Sequence, residues 1–126
     1  MTLTAPQVSH FTHVAADLIG VPADACRDAG LLTGLLIAAA GAAGYSSLGA
    51  PVVRQLPTGD VAGVLLLDGC HIALHSFPDR ELLLLDILAP ASRDARKALD
   101  VFAKRLVPQQ IRSEACLLYT SDAADE

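Results

Sequence analysis

A chain of 126 residues that is 52% apolar and 18% charged can close one core, which excludes a disordered polypeptide. Nine basic against 14 acidic residues, a formal charge of −5, leave no basic stripe for phosphate backbones, and the few aromatic residues (Phe11, Tyr45, Phe77, Phe102, Tyr119) make no base-stacking platform, so a nucleic-acid partner is not expected. Cys26, Cys70 and Cys116 have neither the close spacing of a zinc site nor the even count of a disulfide framework, which suits a reducing cytoplasm.

Residues 1–10 hold no basic stretch followed by an apolar core, so no signal peptide is expected. From Phe11 to Ile19, Val14, Ala16 and Leu18 alternate with His13, Ala15 and Asp17, the pattern of a strand, and Gly20 to Pro22 end it. Asp24 or Asp28 then caps a helix with Leu31, Leu32, Leu35, Leu36 and Ala39 at helical spacing and Gly44 as its stop. The uncharged run from Ala29 to Val53 is long enough for a bilayer. Its glycines and the Tyr45-Ser46-Ser47 break dilute its hydrophobicity, so a membrane span is not expected.

Ser46 to Leu56 predicts a second strand, with Pro51 marking an edge or a bulge, and Pro57 to Asp60 a turn. Three strands follow: Val61–Leu67, His71–Phe77 across the tight Asp68-Gly69 turn, and Leu82–Leu88 across Pro78-Asp79-Arg80. Pro90 and Ser92 open a last helix, Arg93–Leu106, striped by Ala95, Leu99, Phe102 and Leu106, and Val107–Ser113 reads as a short final strand. This order predicts an α+β fold, an antiparallel sheet with two helices packed on one face. The uncovered face must be buried in turn, which predicts a homodimer of paired sandwiches. The segment Cys116–Glu126, CLLYTSDAADE, resembles the in-frame translation of a sequencing-library adapter, so the native domain is expected to span 1–115. Without Asp122, Asp125 and Glu126 the acidic count falls from 14 to 11 against nine bases, a balance of −2.

Chemistry concentrates in DGCHIALHSFPD, residues 68–79. Strand alternation puts His71, Ala73, His75 and Phe77 on one side and Cys70, Ile72, Leu74 and Ser76 on the other. Three readings are open on the residues alone. In the first, favoured one, Cys70 is a small core residue behind a turn and the histidines line a solvent face. A zinc site of His71 and His75 lacks a third ligand, because Cys70 points away unless the strand bulges. A nucleophilic pair of Cys70 with either histidine lacks an oxyanion loop, with Asp86 as the candidate orienting acid.

The segments THVAADLIG (12–20), VVRQLPTGDVAGVLLLDGCHIALHSFPDRELLLLDI (52–87) and RKALDVFAKRLVPQQI (96–111) change those odds. Their sharpest part is the run His71-Ile72-Ala73-Leu74-His75-Ser76-Phe77-Pro78-Asp79, followed by Asp86-Ile87. Together they resemble the short prokaryotic S-adenosylmethionine decarboxylases, which work through a pyruvoyl group made from their own chain. The resemblance implies a precursor that cleaves itself just before the first histidine of the run, here between Gly69 and Cys70. In the family a serine hydroxyl attacks the preceding carbonyl, the ester β-eliminates, and the new N-terminus becomes a pyruvoyl that draws off electrons as carbon dioxide leaves. With cysteine the intermediate would be a thioester on Gly69, and β-elimination of thiocarboxylate would still lead to pyruvoyl. This requires a kink or bulge near Gly69 if Cys70 is to reach His75.

By the same resemblance, His75 matches the processing histidine, Asp17 or Asp79 is an acid that binds substrate, and the product feeds spermidine synthesis in the cytoplasm. Other positions differ from the family's pattern. Gly69 stands for the acid before the cut, Ala62 for the serine that assists it, Pro90 for the proton-donating cysteine, and Gln55 or Leu56 for the aromatic that stacks on adenine. Two alternatives follow from those differences: a non-cleaving homologue that binds a ligand or regulates a partner, or a pyruvoyl enzyme acting on a different amino acid. No metal is called for in any of these.

Overall fold

The computed structural model describes the backbone of residues 9–119. Its elements are β1 (Ser9–Ile19), α1 (Ala23–Cys26), α2 (Ala29–Ala43), β2 (Val52–Gln55), β3 (Val61–Leu67), β4 (Cys70–Phe77), a 3₁₀ turn (Pro78–Arg80), β5 (Leu82–Pro90), α3 (Ala95–Leu106) and β6 (Gln110–Tyr119). The strands form one sheet in the order β2-β3-β4-β5-β1-β6, and every neighbouring pair is antiparallel. Helices α2 and α3 pack on each other and on one face of the sheet, so the α+β architecture expected from the sequence is the one found.

Alternation along each strand makes this possible, because every second side chain points into the space under the helices. Val14, Ala16 and Leu18 of β1, Leu65 and Leu67 of β3, Ile72 and Leu74 of β4, and Leu83, Leu85 and Ile87 of β5 are buried there. They meet Leu32, Leu36 and Ala39 from α2 and Leu99, Phe102 and Leu106 from α3. The other face carries His13, Ala15 and Asp17, Ala62, Val64 and Leu66, His71, Ala73 and His75, and Leu84, Asp86 and Leu88, most of them partly or fully exposed.

Several boundaries differ from expectation. Of the two capping candidates, Asp28 holds α2, its carboxylate accepting from Leu31 N at 2.9 Å, while Asp24 belongs to the separate short helix α1. Gly44 ends α2 in the left-handed conformation (φ 78°) that glycine adopts without a Cβ clash. The strand expected over Ser46–Leu56 shrinks to β2, because Gly49 (φ 146°) and Pro51 interrupt pairing after an isolated Ser47–Leu67 bridge. Pro90 closes β5 opposite Phe11 instead of opening the last helix, whose cap is Asp94. The final strand starts later and runs further than Val107–Ser113: Val107 leaves α3 in a left-handed turn, and β6 then pairs along the whole of β1. No helix among the described residues is long and apolar enough to cross a membrane.

Candidate active site

Asp68 and Gly69 make the two-residue turn between β3 and β4, with Gly69 at φ 78°, a value that favours glycine. Leu67 pairs with Cys70 across it, and Asp68 N donates to Ser46 O at 2.9 Å, tying the hairpin tip to the loop after α2. β4 continues in unbroken register with β3 and β5, so the kink or bulge expected near Gly69 is absent. Cys70, 7% exposed, therefore turns its thiol to the helix-covered side.

That thiol borders a cavity of about 180 Å³ at one end of the sandwich. Tyr45 and Ser46 reach it from the end of α2, Asp68 from the hairpin, and Pro90, Ser92 and Arg93 from the segment leading into α3. Burial, and secondarily the charge of Asp68, pushes the Cys70 thiol up from its ordinary value, so it rests as a protonated thiol. The Tyr45 hydroxyl is buried and has no hydrogen-bond partner among the described residues. Burial, then the charges of Cys70 and Asp94, push that phenol up to about 12, with Arg93 opposing. Arg93 reaches over the end of α2, its Nη1 3.4 Å from where a Cβ on Gly44 would sit, a favourable position for a cation at a helix C-terminus.

The opposite face of the sheet holds a second cluster. His13 on β1 and His71 on β4 both pair with Leu88 of β5, one from each side, so Asp86, two residues along on the same face, lies diagonal to both. His71 Nε2 is 2.9 Å from Asp86 Oδ2, and His13 Nε2 bonds the other oxygen. Burial alone would raise the Asp86 carboxyl, but the hydrogen bonds from His71 and His13 prevail and hold it below the usual carboxylate range.

The residues singled out from the sequence divide between these two faces. His75 and Asp17 share a groove of about 370 Å³ on the open face, with Asp86 beside them. The strand separates His75 from Cys70 by five residues, roughly 16 Å, and by the thickness of the sheet, so the thiol and this imidazole are not brought together. Ala62 pairs with His75 on the open face. Pro90, in contrast, borders the thiol's cavity. Asp79 lies exposed on the 3₁₀ turn, 3.8 Å from Arg27 Nη2 and outside both clusters. Gln55 Nε2 donates to Arg27 O at 2.7 Å and is spent on holding the loop beside it, and Leu56 is exposed at the end of β2. Cys26 is a buried core thiol. Among the described residues no three His, Cys, Asp or Glu side chains converge as a metal site.

Sequence reasoning missed Tyr45, Arg93 and His13. Alternation puts His13 on the side of β1 away from Val14, Ala16 and Leu18, but nothing local says that β1 lies beside β5. Tyr45 had one signal, its position directly after the helix-ending glycine.

The structure is thus a two-layer α+β sandwich with a buried thiol as the first residue after a hairpin glycine, bordering a polar cavity. A family model described as S-adenosylmethionine decarboxylase matches residues 12–116. The S-adenosylmethionine decarboxylase proenzyme of Persephonella marina is 31% identical over 79% of this chain and 74% of its own length, and that of Brevibacillus brevis 32% over 78% and 74%. The crystal structure of the adenosylmethionine decarboxylase from Aquifex aeolicus superposes with a TM-score of 0.81 at 26% identity, covering 90% of this chain and 94% of the other. The chain belongs to the S-adenosylmethionine decarboxylase family.

Proposed function

We propose that this protein is a pyruvoyl-dependent S-adenosylmethionine decarboxylase-like enzyme of cytoplasmic spermidine biosynthesis that cleaves itself between Gly69 and Cys70. The observation that carries the reading is the Cys70 thiol at the hairpin tip, facing a polar cavity and one peptide unit from the Gly69 carbonyl. A side chain at that position reaches its own upstream carbonyl through a five-membered ring, so attack needs no large movement. The residues around it suit a small keto group: Arg93 supplies positive charge for a carboxylate, and the Tyr45 hydroxyl is a buried donor with no partner among the described residues. A pyruvoyl there would supply the electron sink for loss of carbon dioxide from an amino acid.

His75 and Asp17 are assigned to the open-face groove, where a second copy of the chain would close it in a homodimer and Asp17 would be the substrate-binding acid; Asp79, the other candidate acid, lies apart from both clusters. One observation favours the alternative of a non-cleaving ligand-binding or regulatory homologue: His75, the processing histidine by resemblance, faces away from the thiol. A pyruvoyl enzyme for another amino acid is separated from the main reading by substrate competition, since the site has no aromatic at Gln55 or Leu56.

Mass spectrometry under denaturing conditions tests the main reading. Wild-type protein should separate into two chains broken at 69–70, the second reacting with a carbonyl reagent at its N-terminus. Cys70→Ser should still divide, and Cys70→Ala should stay whole. An unbroken wild-type chain under all conditions overturns self-cleavage and leaves the regulatory alternative.

A further inference from the structure

We propose that Tyr45 is the proton shuttle of self-cleavage, its hydroxyl taking the Cys70 thiol proton while giving its own to the nitrogen released from Gly69. This rests on the cleavage reading above and names the group that performs it. Proton-bearing side chains around the thiol are few. Asp68 is a carboxylate whose charge opposes thiolate formation. Arg93 does not release its proton in proteins, and the hydroxyls of Ser46 and Ser92 are weaker acids than a phenol. His75 and His71 occupy the opposite face of the sheet.

Tyr45 differs from all of these in having a buried hydroxyl that nothing among the described residues satisfies. Buried hydroxyls without partners are uncommon and call for an explanation, and a cavity shared with the reacting thiol offers one. The two groups are close enough to feel each other, because a Cys70 thiolate is among the causes that hold the phenol up. Local structure fixes their relation. Tyr45 N donates to Ala40 O at 2.9 Å, pinning the residue to the end of α2, and the next residue accepts from Asp68 N at 2.9 Å, pinning it to the hairpin.

The step balances. Sγ forms a bond to the Gly69 carbonyl carbon and the carbon–nitrogen bond breaks. The thiol proton goes to the phenol oxygen and the phenol proton to the departing nitrogen, leaving a thioester, a free amine and an unchanged tyrosine. Solvent water takes the Cα proton as the Gly69 thiocarboxylate departs, which gives dehydroalanine, and water converts its imine tautomer to the keto group and ammonia.

Tyr45→Phe keeps the ring and removes the hydroxyl alone. Freshly synthesised Tyr45→Phe protein, followed by denaturing mass spectrometry, should cleave at least roughly 100-fold more slowly than wild type, the loss expected for a missing acid–base group. Hydroxylamine, which cuts thioesters, should release no fragments from it, because the block precedes the thioester. Circular dichroism should give a melting temperature at or above that of wild type, since an unsatisfied group is removed. A fluorinated tyrosine at position 45, a stronger acid, supplies a second readout that a packing role would not move: the alkaline loss of cleavage should shift to lower pH. Cleavage of Tyr45→Phe at the wild-type rate, or an alkaline limb unmoved by fluorination, overturns the shuttle and leaves self-cleavage standing. A wild-type chain that never divides overturns both.

Discussion

Asp86 carries two imidazoles on one carboxylate, and this arrangement makes a pH-dependent claim. Its carboxyl is held below the usual range in the folded protein, so the stabilisation is complete above the ordinary carboxylate value and is lost as pH falls through the lower folded value. Asp86→Asn removes that dependence. The urea midpoint of wild type should exceed that of the variant near neutrality, and the gap should narrow between about pH 5 and about pH 2, where carboxylates of this kind take up protons. A gap independent of pH would show that neither imidazole engages the charge. In the sequence Asp86 stands out as part of a motif and as the candidate orienting acid for a Cys70–histidine pair, but its actual partners are not legible, because diagonal neighbours across three strands depend on the sheet order and not on local spacing.

Ser76 ties the end of α1 to the paired strands β3 and β4. Fully buried on β4, its hydroxyl donates to Cys26 O at the end of α1 at 2.6 Å and accepts from Val61 N at the start of β3 at 3.0 Å. Ser76→Ala leaves both backbone groups buried and unpaired, which costs about 1–3 kcal/mol. Chemical denaturation should show that loss, with the proposed self-cleavage unaffected in the folded fraction; a stability equal to wild type would mean that water replaces the hydroxyl. The inner strands were readable because covering one face forces every second residue to be apolar, as in Leu82–Leu85, whose unbroken leucines still alternate in burial. The edge elements were not. How far β2 and β6 extend is set by what β3 and β1 offer for pairing, and neither edge strand encodes that in its own alternation. The cavity was illegible for a related reason, since it is assembled from a hairpin and the ends of two helices far apart in the chain.

At the scale of the molecule, the open face is exposed and carries no helix cover. Small side chains at Ala15, Ala62 and Ala73 make it grooved, and Leu66, 58% exposed, and Val52 keep it apolar at one side. Such a face suits a self-complementary partner, as proposed for the homodimer. Leu66→Asp should turn a dimer into a monomer in sedimentation velocity without changing the thermal unfolding of the isolated protomer; a wild-type monomer at all concentrations would end that proposal.

A break after Gly69 would assign β1, β2 and β3 to the front piece and β4, β5 and β6 to the rear, yet β1 lies between β5 and β6. Each piece is thus threaded through the other, and neither can slip free while the sheet persists. Maturation of this kind would be a one-way commitment: pieces once drawn apart must find each other again by collision, so the matured form would owe its lifetime to slow unravelling more than to ready reassembly.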